Sequence, residues 1–283
     1  MPMLGVPSQL SRTFNSWLQR DTANNFKPLI RGRYTVYIDM HHELINCSYN
    51  TFLKDLADIN LAQQVADAAF KREFNILNEF GKNQSPEAII GNYAFGFDNP
   101  FTGQLEKYAF RKTSVIDLKN LTLRQKNNQY CWLLSNAFEK FECYVKNVFE
   151  IITGQDAPRE LNKILAYFSN NYPELNRNEK TNKIEIHLKV AVLLVEKLRH
   201  AIVHDQGKIK DSDVFTSKVI KQSGVNNNRV EHSEFIQQFI LDGKVHIVEQ
   251  PIIDGFSLPR YHDVFRYLVS YLIAYAYLTK EHT

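Results

Sequence analysis

YCWLLSNAFEKFECYVKNVFEII, residues Tyr130–Ile152, sets the fold class. Tyr130, Leu134, Ala137, Phe141, Val145, Val148 and Ile152 recur at intervals of three and four, the period of one face of an α-helix. The pattern extends back to about Thr122, and Gly154 supplies a C-terminal stop. A helix this long with an apolar stripe needs other helices to cover it.

Those helices lie downstream. Asp156-Ala157-Pro158 has the form of a helix start with proline in the first turn, followed by apolar Leu161, Ile164, Leu165 and Phe168. From about Lys183 to Val203 the residues Ile186, Val190, Leu193, Leu194, Leu198 and Ile202 keep helical spacing, and Gly207 ends the run. A last helix is expected from Asp263 to about Lys280, with Phe265, Leu268, Val269, Leu272 and Ile273 inward. Its YLVSYLIAYAYL core, Tyr267–Leu278, is too short and too rich in tyrosine to span a bilayer and reads as a buried helix. Between Gly207 and Pro259 the texture changes. Asp242-Gly243, flanked by apolar runs, predicts a small β-hairpin at about 235–248.

The expected fold is therefore mainly α: a helical bundle over residues 121–283 with a hairpin insertion, preceded by a mostly helical region over residues 1–120. That region shows helical patterns near Leu10–Leu18 and Leu61–Phe80 and a short strand-like stretch at Arg33–Asp39. It holds no chemical motif. Gly91–Gly103, GNYAFGFDNPFTG, has turn composition but lacks the spacing of a phosphate-binding loop.

Composition narrows the classes further. With 44% hydrophobic and 12% aromatic residues in 283, the chain is built to pack a core. A net charge of +3 is too mild for a nucleic-acid coat protein, and the slight excess lies C-terminally: residues 1–110 hold 10 Lys/Arg against 11 Asp/Glu, the remainder 24 against 20. Cys47, Cys131 and Cys143 are odd in number and lack CxxC spacing, so free thiols in a reducing cytoplasm are expected, without disulfides or a zinc knuckle. The N-terminus has no continuous apolar run of the kind a secretory signal carries.

The chemistry-bearing segment is Glu196-Lys197-Leu198-Arg199-His200-Ala201-Ile202-Val203-His204-Asp205, which places a guanidinium and two imidazoles within about one and a half turns of a helix end. A single basic residue there is ordinarily a partner for the helix dipole and its last carbonyls. Three together suit another task. Cutting RNA without metal requires taking a proton from a 2′-hydroxyl, neutralising the crowded phosphorane oxygens and protonating the leaving 5′-oxygen. Histidine serves the proton transfers near neutrality, and the arginine fork holds two phosphate oxygens at once.

Arg199 and His204, in R-H-A-I-V-H, match the R-x4-6-H signature, and the chain over roughly residues 122–280 resembles the HEPN family. The segment WLLSNAFEKF, Trp132–Phe141, is similar to the earlier long helix that pairs with the motif helix in that family. The resemblance implies a metal-independent endoribonuclease with no cofactor, acting on RNA as a homodimer whose two motifs share one cleft, in a toxin or anti-phage setting with an antitoxin or other regulatory partner. It also implies supporting roles for His200 and Glu139. Other family members are non-catalytic binding modules. Some family toxins carry a modified tyrosine two residues after the motif histidine, and Gln206 stands there instead.

Four points stay open. On an ideal helix Arg199 and His204 differ by about 140°, so helix termination, the reach of arginine or a two-fold partner must bring them to one phosphate. Glu196, His200 and His204 form E-x3-H-x3-H on one face, a legitimate metal-site pattern. Glu139 and Glu142 fit a solvated acidic face equally well. Lys208 and Lys210, with Lys218, Lys221 and Arg229, are candidates to guide a phosphate backbone, and solvated loop lysines have the same appearance.

Overall fold

A computed structural model describes residues 33–183, 185–252 and 260–283. The chain divides into a unit of residues 1–41 and a unit of residues 42–283. In the first, residues 33–41 are the opening turns of helix α1 (Arg33–Gly81). The helix expected near Leu10–Leu18 lies outside the described residues. Among the described residues the elements are α1, β1 (Ile89–Asp98), β2 (Leu105–Ser114), α2 (Val115–Thr153), α3 (Leu161–Asn171), α4 (Pro173–Lys180), α5 (Leu188–Asp205), α6 (Ser212–Ser223), α7 (Arg229–Gln237), β3 (Ile240–Leu241), β4 (Lys244–Val245), β5 (Gln250–Ile252), β6 (Arg260–His262) and α8 (Val264–His282). The protein is mainly helical, with three separate two-stranded antiparallel sheets among the described residues.

The long helix starts seven residues before its apolar stripe because Ser114 and Asp117 close a capping box: Asp117 N–H donates to Ser114 Oγ at 3.2 Å and Ser114 N–H to Asp117 Oδ2 at 3.2 Å. It stops at Gly154, whose left-handed backbone (φ 66°) lets its N–H reach Glu150 O.

The core is α2, α5 and α8. Tyr130 packs on Phe265 and Phe141 on Tyr275, while the Tyr144 hydroxyl donates to Ala276 O at 3.0 Å, so α8 runs parallel to α2. Helix α5 runs the other way, with Ile202 and Val203 beside Cys131 and Trp132, and Glu196 beside Glu142. Every residue from Val190 to Val195 is buried, so α5 is the central helix. Helix α1 lies along the far flank of α2. Phe52 stacks on Tyr144 at 5.4 Å, and Lys126 on α2 bridges Asp67 on α1 and Glu249, each at 2.7 Å. The hydroxyl of Tyr130 closes this cluster, accepting from Gln63 Nε2 at 3.0 Å.

Several expectations are corrected. Arg33–Asp39 is helix, because Ile45, Tyr49, Phe52 and Leu56 beyond it keep helical spacing and extending a helix costs less than starting one. Gly91–Gly103 belongs to an antiparallel hairpin of two ten-residue strands, with register shifts near Gly91 and Gly96. Its turn is closed by Asn99 N–H to Gln104 O at 2.9 Å and Gly103 N–H to Asn99 O at 2.8 Å. The hairpin expected at 235–248 is confined to Ile240–Leu241 and Lys244–Val245 around Asp242-Gly243, and Phe235 belongs to α7. Helix α3 begins at Leu161, not Asp156, and α5 at Leu188, where His187 Nδ1 accepts the Lys189 N–H. Among the described residues no helix is long and apolar enough to cross a membrane.

Candidate functional site at the end of the central helix

The C-terminal turn of α5 carries the cluster. The helix stays regular through Asp205, then Gln206 (φ 55°) and Gly207 (φ 74°) both turn left-handed and both donate their N–H to Ala201 O, Gly207 at 2.9 Å. Backbone N–H groups thus meet Ala201 O and, from Lys208, Asp205 O, and among the described residues neither Arg199 nor His204 caps a carbonyl. His200 and His204 are exposed, with ring centroids 4.6 Å apart.

Arg199 is partly buried. Five buried side-chain polar atoms lack a partner among the described residues; Arg199 Nε is one, and only that one belongs to a permanently charged group. No carboxylate pairs with Arg199 among the described residues. An unsatisfied donor of this kind costs about 1–3 kcal/mol, more when charged, which is out of place in a purely structural arginine.

Helix regularity also settles the geometry. Because α5 does not end before His204, Arg199 and His204 keep their separation of about 140° around the axis. Arg199 shares a stripe with Ile202 and Val203, and His200 and His204 share the next stripe with Glu196.

Glu139, the expected active-site acid, is exposed on α2 and forms no pair with Arg199 among the described residues. Glu142 is the α2 acid whose charge is felt at Glu196. Burial pushes the Glu196 carboxyl up, Lys197 pulls it down and Glu142 raises it again. Glu196 accepts from Gln222 Nε2 at 3.3 Å and lies 3.7 Å from Lys197 Nζ. Among the described residues no three His, Cys, Asp or Glu side chains converge in a way that would hold a metal ion, so Glu196, His200 and His204 do not form the ligand set their spacing allows.

The two expected RNA-binding lysines part company. Lys208 opens onto a cleft of about 900 Å3 between α2, the end of α5 and β4, while Lys210 borders a different recess with Asp213 and Asp242. Lys208 is fixed there by backbone pairing of the loop to β4: Val245 N–H donates to Gly207 O at 2.8 Å, and Ile209 N–H to Gly243 O at 2.8 Å.

Sequence reading missed the other cleft residues Arg111, Arg124, Trp132 and Lys244. Only Trp132 left a signal, an aromatic on the polar side of the α2 stripe; it is 58% exposed. Cys131 also borders the cleft, but burial pushes its thiol up to about 12, so it offers no thiolate.

Comparison with protein-family models, with curated proteins and with solved structures yields no match.

Proposed function

We propose that the chain is a metal-independent endoribonuclease of the HEPN type, its core helices being the HEPN bundle and Arg199 to His204 its active motif. One observation carries the reading. Among the described residues a buried nitrogen of the permanently charged Arg199 guanidinium is left without a partner, close in sequence to two exposed histidines in the last two turns of the helix.

In the proposed reaction a histidine removes the 2′-hydroxyl proton and the 2′-oxygen bonds to phosphorus. Arg199 holds the two non-bridging oxygens as charge builds there, the P–O5′ bond breaks and a protonated histidine gives its proton to the departing 5′-oxygen. His204 is the proposed proton carrier, with His200, 4.6 Å away, supporting it. Glu139 stays a candidate for positioning a histidine across an interface. A toxin or anti-phage role in the cytoplasm, under a regulatory partner, is the setting this chemistry suits.

The test is product chemistry. Purified chain in EDTA is expected to cut mixed RNA to fragments ending in a 2′,3′-cyclic phosphate and a 5′-hydroxyl, and to spare any linkage preceded by a 2′-O-methyl nucleotide. Cleavage at that linkage, or dependence on a divalent cation, would end the proposal. No cleavage at all would favour a non-catalytic RNA-binding module.

The 140° between Arg199 and His204 favours a homodimer in which each site takes one group from each copy. Mixing inactive Arg199→Ala and His204→Ala chains is then expected to restore part of the activity, since one of the two composite sites regains both groups. Light scattering should show dimers. A mixture that stays dead, or an active monomer, counts against the shared site.

A further inference from the structure

The cleft beside Arg199 has a composition that the cleavage chemistry does not require. Arg111, Arg124, Lys208 and Lys244 border it, and no aspartate or glutamate does, although the chain carries 31 acids against 34 bases. Among the described residues Arg124, Lys208 and Lys244 form no ion pair with a carboxylate, Arg111 reaches Asp117 only at 4.0 Å, and Asp117 is the acid whose charge Arg111 and Arg124 both feel. Four cations facing one concave surface raise its potential well above that of the protein as a whole, because the low-dielectric walls concentrate the field. The carbonyl end of α5 opposes an anion with about half a charge, so four cations decide the sign.

The remaining lining is equally specific. Side-chain amides of Gln125, Asn128 and Gln206 supply donors and acceptors without charge, and Trp132 presents its indole to solvent. An exposed tryptophan amid cations and amides suits an unstacked base, whose face it can cover while its phosphates meet the cations. A duplex hides its base faces and offers Trp132 nothing. At about 900 Å3 the cleft is near the upper end of ordinary ligand pockets, larger than a lone phosphate needs. Ile202 and Val203 border it on α5 and lie three and four residues after Arg199, so the cleft begins one turn from the proposed phosphate site.

We propose that this cleft is a binding track for single-stranded RNA, with Trp132 stacking on one unpaired base and Arg124, Lys208 and Lys244 holding the backbone that leads to Arg199. The proposal rests on the RNA-cleavage reading for its choice of ligand, and binding is measured apart from cleavage so that the two can fail separately.

The probe is a short fluorescent 2′-O-methyl RNA that cannot be cut, single-stranded or annealed to its complement, titrated with the His204→Ala chain in EDTA. The single strand is expected to bind more tightly than the duplex. Trp132→Ala should weaken the single strand about tenfold, Trp132→Phe should retain most of the affinity, and Arg124→Ala or Lys244→Ala should lower both the affinity and its salt dependence. Equal affinity for strand and duplex, or unchanged affinity in Trp132→Ala, would overturn the track. So would a Trp132→Ala chain that loses self-association in sedimentation while binding RNA normally, since Trp132 would then belong to an interface between copies. Tight, Trp132-dependent binding by a wild-type chain that never cuts RNA would uphold the track and remove the catalytic reading.

Discussion

Arg199→Ala is expected to slow RNA cleavage by roughly 10²- to 10⁴-fold while leaving the midpoint of thermal unfolding unchanged or higher. The two halves of this result come from different physics. In the proposed reaction activity falls because Arg199 holds the phosphorane oxygens, and Arg199→Lys should restore little, since a point charge cannot reproduce the fork. Stability does not fall because Nε is buried without a partner, so the substitution removes an uncompensated desolvation penalty along with some alkyl packing. His204→Ala, exposed in the last turn, should lose activity to a similar degree without altering the helical circular dichroism. An Arg199→Ala chain that keeps full activity would eliminate the site. One that unfolds more easily by several kcal/mol would show that the arginine is part of the scaffold.

The opposite signature is expected for Lys126→Met, a substitution of a buried residue that does not itself line the cleft. Lys126 is 8% exposed and its Nζ lies 2.7 Å from both Asp67 and Glu249, joining α1 and the segment before β5 to α2. Removing it leaves two carboxylates facing each other beside Tyr130. Breaking a buried pair costs about 3–5 kcal/mol, and both acids keep some contact with water, so a loss of about 3 kcal/mol in urea unfolding is expected, with RNA cleavage per folded molecule unchanged. The acid limb should move as well. Burial pushes the Asp67 carboxyl up, but hydrogen bonds from Lys126 and Lys71 outweigh it and hold it at about 2. A carboxyl lowered in the folded state stabilises above its unfolded value near 3.8, and that contribution disappears as pH falls from there toward 2. In Lys126→Met the contribution should shrink and the acid transition should begin at higher pH. A change under 1 kcal/mol at neutral pH would mean that α1 is held by Phe52 and its aromatic neighbours alone.

The core helices were legible because each carries its own period. Tyr130 to Ile152, Val190 to Ile202 and Phe265 to Ile273 announce buried faces without reference to anything distant, and Gly154 marks its stop locally. The β1–β2 hairpin was not, since Gly91 and Gly96 interrupt its strands and Asn99 to Gln104 close a turn longer than the two-residue pattern at Asp242-Gly243. The same contrast holds at the site. Arg199, His200 and His204 are neighbours in sequence and could be weighed as a pattern. The cleft draws Arg111 from a strand, Arg124 and Trp132 from α2 and Lys244 from β4, and no local rule brings these together. Lys208 and Lys210 looked equivalent, and only the pairing of their loop to β4 separates them.

The parallel run of α2 and α8 has a consequence in time. Tyr144 meets Ala276 across 132 residues of chain, which a ribosome adding roughly 5–20 residues per second takes on the order of ten seconds to make. Through that interval the aromatic face of α2 that receives α8 stands uncovered, and the Arg199–His204 segment is synthesised before the interval ends. The nascent chain thus carries the letters of its site before it possesses the scaffold that fixes them, and an activity of the proposed kind would be withheld until the segment forming α8 has left the ribosome.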